Sequence, residues 1–213
     1  MVTKLYLIRH AEAEGNVVPF FQGGIDTALT DKGKQQLTFL AERFRQIPLD
    51  VIYCSPFQRA GQTAEAVNQF HGLDMISEYE LREINVGSWE GRKMSDLRTE
   101  YPELFQIWRE RMQDFHAPDG DAMRDVYERM RSVMQKIAME NPEKTVAVFS
   151  HGCAVRNFLS FVESGSLSGI MDVGWGDNTA VSLVEYDTET GWRLIFKNDS
   201  SHLPQDAHTA MPV

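Results

Sequence analysis

The stretch LYLIRHAEAEGN, Leu5–Asn16, decides the fold. It opens as an apolar β-type run and breaks off on an Arg-His pair followed by small and polar residues. Two cationic side chains are costly neighbours for a buried strand, so the exit of that strand needs a reason to carry them.

Reading outward, TKLYLI (3–8) is a strand, and LTDKGKQQLTFLAERFRQ (29–46) is an amphipathic helix. Thr30 is its N-cap, with Leu37, Leu40, Ala41 and Phe44 at helical spacing. DVIYC (50–54) is a second short strand, and PFQRAGQTAEAVNQF (56–70) a second helix with Pro56 in its first turn. Residues 78–120 are irregular, rich in charge and aromatics, and read as an excursion over the sheet. DAMRDVYERMRSVMQKIAME (121–140) returns to helical period, TVAVFS (145–150) is a buried strand, and AVRNFLSFVES (154–164) a further helix. TAVSLVEYD and WRLIFKN form a hairpin through TETG, and the last dozen residues read as a loose tail.

Alternation of this kind predicts a three-layer α/β/α sandwich on a mainly parallel mixed sheet, with ligands beyond the carboxyl ends of the strands. The polar residues of three strand-to-helix junctions then meet at one edge: Arg9 and His10 in LIRHAE, Arg59 in YCSPFQRA, and His151 in VFSHGCA. Two guanidiniums and two imidazoles suit a phosphate or carboxylate.

Composition limits the partners. With 213 residues and 42% hydrophobic content, one domain spanning 1–213 can bury a sizeable core. A net charge of −10 argues against nucleic acid and anionic membrane as partners, so any anion must be held by a local cationic pocket. No apolar run is long enough for a membrane span and no signal-peptide order is present, which reads as a cytoplasmic protein. Cys54 and Cys153 are too few for a disulfide framework and read as reduced thiols, while His71, His116, His202 and His208 read as surface or packing residues. Composition does not separate a monomer from a homodimer.

Five blocks in order, RHAEAEGN, QGGIDTALTDKG, SPFQRAGQTAE, LREINVGSWEG and SHG, resemble the histidine phosphatase superfamily, the group built on cofactor-dependent phosphoglycerate mutase. The resemblance covers nearly the whole chain and implies a single domain of that family with a cap-like insertion at about 78–120. It further implies His10 as nucleophile, Arg9, Arg59 and His151 as a phosphate clamp with His151 a positively charged donor, and Glu83 as acid-base carboxylate. Asn16, Gln22, Gly23 and Gly152 match positions that line the phosphate pocket or substrate loop. The implied activity is phosphomonoester hydrolysis on a small phosphorylated metabolite through a phosphohistidine, with no cofactor and no metal. A metal site on His10, His151, Glu83 and one of the other acids is the competing chemistry, opposed by the two adjacent arginines and by the absence of an HExxH pattern. HGCAVR lacks the H-C-x5-R spacing of a cysteine phosphatase.

Departures from the family pattern refine the expectation. Met94 stands where the mutase has Lys, and Arg109 with Glu110 where it has paired arginines, so the phosphatase branch is expected over a phosphoglycerate-type mutase. Ala11 replaces Gly, Ala13 a hydroxyl residue, and Phe20 an Arg. Trp89, Trp108 and Trp175 read as core or pocket wall, and Phe20 and Phe21 near the mouth, with Trp89 beside them if it is wall, point to a substrate with an apolar or planar portion. A non-catalytic phospholigand-binding module is the third reading, opposed by the presence of both His10 and Glu83.

Overall fold

The computed structural model describes residues 1–18 and 20–209. Six strands, β1 (Val2–Arg9), β2 (Val51–Cys54), β3 (Met75–Ser77), β4 (Thr145–Ser150), β5 (Val181–Asp187) and β6 (Gly191–Asp199), form one sheet ordered β3-β2-β4-β1-β5-β6. The β3-β2-β4-β1 portion is parallel, and β5 and β6 run antiparallel, as expected for a mainly parallel mixed sheet.

Strand periodicity builds the three layers. In β4, Val146 and Val148 face one core with α6 (Met123–Glu140) and α7 (Gly152–Ser164), while Ala147 and Phe149 face a second core with α2 (Asp31–Phe44) and α3 (Gln58–Asn68). The continuous apolar run TVAVFS follows from this burial on both faces. Thr30 caps α2 by accepting the Gly33 N–H at 2.9 Å. Gly33 lets that helix start lie on the β1 exit, since a Cβ there would stand 2.0 Å from the Glu12 carbonyl.

Residues 78–120 leave the sheet and return to it. They hold α4 (Met94–Glu100), α5 (Pro102–Glu110) and three single 3-10 turns, packed around Trp89, whose ring lies 5.2 Å from Phe21 and 5.3 Å from Phe115. Gly87 joins the two ends of the excursion: its φ is +54° and a Cβ would stand 2.0 Å from the Pro118 carbonyl.

Met75–Ser77 adds an edge strand on β2 that is absent from the sequence reading, too short for its pattern to register. Two expectations need correction. Pro56 precedes α3 instead of sitting in its first turn, with Phe57 as the N-cap. The C-terminal segment is not loose through residue 209: Leu203, Ala207 and Thr209 are buried, and Gln36 Nε2 donates to the Ala207 carbonyl at 2.8 Å and to Thr209 Oγ1 at 3.1 Å. Residues 210–213 of that expected tail lie outside the described residues. No helix among the described residues is long and apolar enough to cross a membrane.

Candidate active site

Register places the two histidines. Arg9 of β1 pairs with Ser150 of β4, and the His10 N–H donates to the Ser150 carbonyl at 3.0 Å, so His10 and His151 leave adjacent strands at the same level. Their ring centroids are 5.1 Å apart. On the other side of β4, the Ser55 N–H donates to the Phe149 carbonyl at 2.9 Å, which brings the Ser55 hydroxyl to His151 Nε2 at 2.7 Å.

His10 Nδ1 lies 2.7 Å from the Ala11 carbonyl. A carbonyl only accepts, so Nδ1 carries the proton and Nε2 keeps its lone pair. Burial, helped by the guanidiniums of Arg59 and Arg9, pushes the His10 imidazole well below its ordinary pKa, so it is neutral. His151 is neutral for the same reason, burial first and then Arg59, His10, Arg129 and Arg9. The expectation of a positively charged His151 is thereby corrected for the free protein: a fully buried ring among four cationic or ionisable neighbours sheds its proton.

The guanidiniums are positioned by carbonyls. Arg9 Nη1 donates to the Gly176 carbonyl at 2.6 Å. Arg59, on the second residue of α3, donates through Nη2 to the Gly23 carbonyl at 3.1 Å and through Nη1 to the Ile25 carbonyl at 2.9 Å, with Asp26 at 3.4 Å. Burial lowers the Arg59 pKa to about 10 against the pull of Glu83 and Asp26. Four buried side-chain atoms around His10 have no hydrogen-bond partner: Arg9 Nε, Arg59 Nε, His151 Nδ1 and the acceptor Asn178 Oδ1. Orphaned buried polar atoms are rare, and two of these, the Nε atoms of Arg9 and Arg59, belong to side chains that line one cavity with His10, where guanidiniums suit the oxygens of a small anion.

Glu83 reaches the same place from the excursion. Arg129 Nη1 donates to the Glu80 and Arg82 carbonyls, at 2.5 and 2.9 Å, and holds that segment over the sheet. Ser150 Oγ adds a bond to the Leu81 carbonyl at 2.7 Å. The Glu83 carboxylate then caps α7, Oε2 accepting from the Cys153 N–H at 3.0 Å and Oε1 from the Ala154 N–H at 3.1 Å and the Ile84 N–H at 2.9 Å.

Arg9, His10, Asn16, Gln22, Gly23, Arg59, Glu83 and Gly152 all line one cavity of about 590 Å³; His151 lies buried behind it. Gln22 is held by Thr27 Oγ1 at 2.7 Å, and Asn16 Oδ1 accepts from the Ala13 N–H at 2.9 Å. Phe20, Phe21, Trp108 and Trp175 form wall, but Trp89 does not: it is fully buried beneath Phe21, which makes it core and not wall. Cys153 borders the cavity as an unreactive thiol, its pKa pushed far up by burial and by Glu83.

Sequence reading missed Ser55, Asn178 and Arg156. Ser55 directly follows β2, so the strand-exit logic that found His10 also reaches it. Asn178 precedes β5, which runs antiparallel to β1 and therefore starts at the edge where β1 ends. Its Nδ2 donates to the His10 carbonyl at 2.8 Å and to Asn16 Oδ1 at 3.2 Å. Arg156 lies one turn into α7 from Gly152 and lines the cavity.

The family model of the Histidine phosphatase superfamily (branch 1) matches residues 5–200. The chain is 31% identical to phosphoserine phosphatase 1 of Hydrogenobacter thermophilus, over 99% of this chain and 100% of that one. It is 30% identical to the probable phosphoglycerate mutase GpmB of Salmonella arizonae, over 96% of each. Among solved structures, Bacillus stearothermophilus YhfR superposes with a TM-score of 0.87 at 29% identity, covering 94% of this chain and 98% of that one. Full-length cover at these identities, over the blocks that build the cavity just described, makes the chain a member of the histidine phosphatase superfamily, branch 1.

Proposed function

We propose that this phosphoric monoester hydrolase works through phospho-His10, without a metal, on a small phosphorylated metabolite. The observation that carries the mechanism is that Arg9 and Arg59, each with a buried partnerless Nε, line one cavity with a neutral His10 whose free lone pair is on Nε2.

His10 Nε2 attacks phosphorus in line, a P–N bond forms and the ester P–O bond breaks. Glu83 gives its proton to the departing alkoxide. Its carboxylate then takes a proton from water, the water oxygen displaces Nε2, and phosphate leaves with His10 restored. Arg9 and Arg59 spread the charge of the transferring oxygens through Nε, and His151 donates through Nδ1–H while its Nε2 accepts from Ser55. Asn16, Gln22, Gly23 and Gly152 border the bound group.

Hydrolysis is favoured over phosphoryl return to a second position by the far side of the cavity. Of the positions where the mutase pattern carries cations, Arg109 keeps one at the cavity, but Met94 is uncharged there, and Glu110 turns to Gln106 at 2.8 Å and does not line the cavity. The mutase reading rests on the GpmB relatives. The name of the Hydrogenobacter relative supports a phosphatase. With Phe20, Phe21, Phe105 and Trp108 as wall, the substrate has an apolar or planar portion. A cytoplasmic setting, possession of the whole chain as one domain, and no nucleic-acid or membrane partner belong to the same reading.

The test is phosphate release from a panel of phosphomonoesters in EDTA, with 3-phosphoglycerate and trace 2,3-bisphosphoglycerate to detect isomerisation. EDTA-resistant hydrolysis is expected, with an acid-labile, base-stable phosphoryl label on wild type and none on His10→Ala. EDTA-sensitive release, isomerisation without hydrolysis, or a label surviving His10→Ala each refutes a named part of the reading.

A further inference from the structure

The loop that carries Gln22 and Gly23 to the cavity is itself held from the excursion. The Phe21 N–H donates to the Arg92 carbonyl at 3.1 Å, and the Phe21 carbonyl accepts from the Gly91 N–H at 2.8 Å. At the far end of the loop, Asp26 accepts from the Gln58 N–H at 2.8 Å, at the start of α3. Between these anchors, among the described residues, one side-chain hydrogen bond ties the loop to the excursion: Glu90 Oε1 accepts from the Gly24 N–H at 2.7 Å.

The neighbouring residues are shaped to that contact. Glu90 directly follows fully buried Trp89, so the core fixes its backbone. Gly23 stands at φ +48°, and a Cβ on it would lie 2.7 Å from Glu90 Oε1; on Gly24 the distance would be 3.0 Å. Two successive glycines let the loop close on the carboxylate.

What the loop holds in turn is the clamp. Arg59 is 1% exposed, and it donates to the carbonyls on either side of Gly24, through Nη2 to Gly23 at 3.1 Å and through Nη1 to Ile25 at 2.9 Å. The Nε of Arg59 is left without a partner. A guanidinium is planar and rigid, so the two carbonyls that seat its fork also set the direction of Nε. Charge acts the same way: burial lowers the Arg59 pKa to about 10, and Glu83, Asp26 and Glu90 oppose that loss. Glu90 does not line the cavity, so its influence reaches the phosphate only through other groups.

We infer that Glu90 is a positioning residue for the phosphate clamp: it fixes the 22–25 loop, and through the Gly23 and Ile25 carbonyls it aims Arg59 at the transferring phosphoryl group. This rests on the phosphatase reading and adds to it a residue outside the cavity.

The test is a double-mutant cycle between Glu90 and Arg59. It is read by kcat/KM on nitrophenyl phosphate and by calorimetric binding of orthovanadate, a phosphate-shaped anion whose binding needs no turnover. Glu90→Ala is expected to lower both by about ten- to a hundredfold, the range of a hydrogen bond to a charged group. In an Arg59→Gln background the same substitution changes them by less than about twofold, because the group it aimed is gone. Glu90→Gln keeps an oxygen for the Gly24 N–H and recovers most of the loss; Glu90→Asp, one methylene short, falls with Glu90→Ala. Losses that multiply in the Arg59→Gln background, as a merely structural role would give, overturn the inference. So does an unaffected Glu90→Ala, or an equal loss in Glu90→Gln. Vanadate binding that follows the cycle in a protein that hydrolyses no ester refutes the phosphatase reading and leaves the positioning role standing. If Glu90→Ala fails to fold, Glu90→Asp carries the cycle.

Discussion

Glu83→Gln separates two tasks that the structure gives one carboxylate. Both of its oxygens accept backbone N–H groups, Oε1 from Ile84 and Ala154 and Oε2 from Cys153. A glutamine oxygen can keep the first pair, but its amide nitrogen then points a donor at the Cys153 N–H. One hydrogen bond to a charged acceptor is lost, and with it the negative charge at the start of α7, together costing about 2 kcal/mol. For a chain of this size the melting temperature falls by roughly 4–8 °C. Catalysis falls separately: loss of the acid lowers kcat/KM by about 10²–10⁴-fold on alkyl phosphates, and by much less on nitrophenyl phosphate, whose leaving group needs little proton. Thermal melts by circular dichroism and kcat/KM on both ester types read the two effects. Equal loss on both esters would remove Glu83 as the acid, and an unchanged melting temperature would remove it as the cap.

Ser55→Ala strips the 2.7 Å partner from buried His151 and costs about 1–2 kcal/mol in urea unfolding, with turnover falling alongside; unchanged stability and turnover would end its positioning role. His202 has its pKa lowered to about 4, chiefly by burial, so it is neutral when folded and gains a proton on unfolding below 6.5. Stability is therefore full above pH 6.5 and drops toward pH 4 by roughly 1–2 kcal/mol from this partly solvated ring alone; His202→Gln flattens that part of the urea-midpoint profile, and an identical slope in the variant contradicts the assignment. Gly33→Ala drives a methyl to 2.0 Å from the Glu12 carbonyl and destabilises by about 2 kcal/mol or more, against the usual gain for Gly→Ala in a helix; a higher melting temperature would disprove the close packing.

How far the sequence could be read follows from which forces are local. The strand exits at Arg9, Arg59 and His151 were legible because buried runs ending on polar residues break a pattern, and Thr30 because its hydroxyl caps within three residues. Asn178 and the 203–209 segment were not, because their partners lie far along the chain: Asn178 meets His10, and Ala207 and Thr209 meet Gln36. Trp89 stayed open between core and wall because an aromatic between two glycines looks the same whether it lines a cavity or fills a core. The capping of α7 by Glu83 has no sequence signature either, as the acceptor lies 70 residues before its donor Cys153.

The acidity of the chain and the cationic cavity are parts of one selection. The net charge of −10 is spread over the surface, while the arginines of the site are buried or confined to the cavity. At physiological salt, exposed charges are screened beyond about 8 Å, whereas pairs inside a low-dielectric cavity are screened much less. A small phosphoester therefore feels the clamp once it is inside and little of the surface on its way in. A polyanion too long to enter keeps most of its charge against the acidic exterior and gains few of the buried contacts. The same separation protects the chemistry: burial, aided by the guanidiniums that hold the phosphate, keeps His10 neutral, so its Nε2 lone pair is free at the pH where the substrate is a dianion.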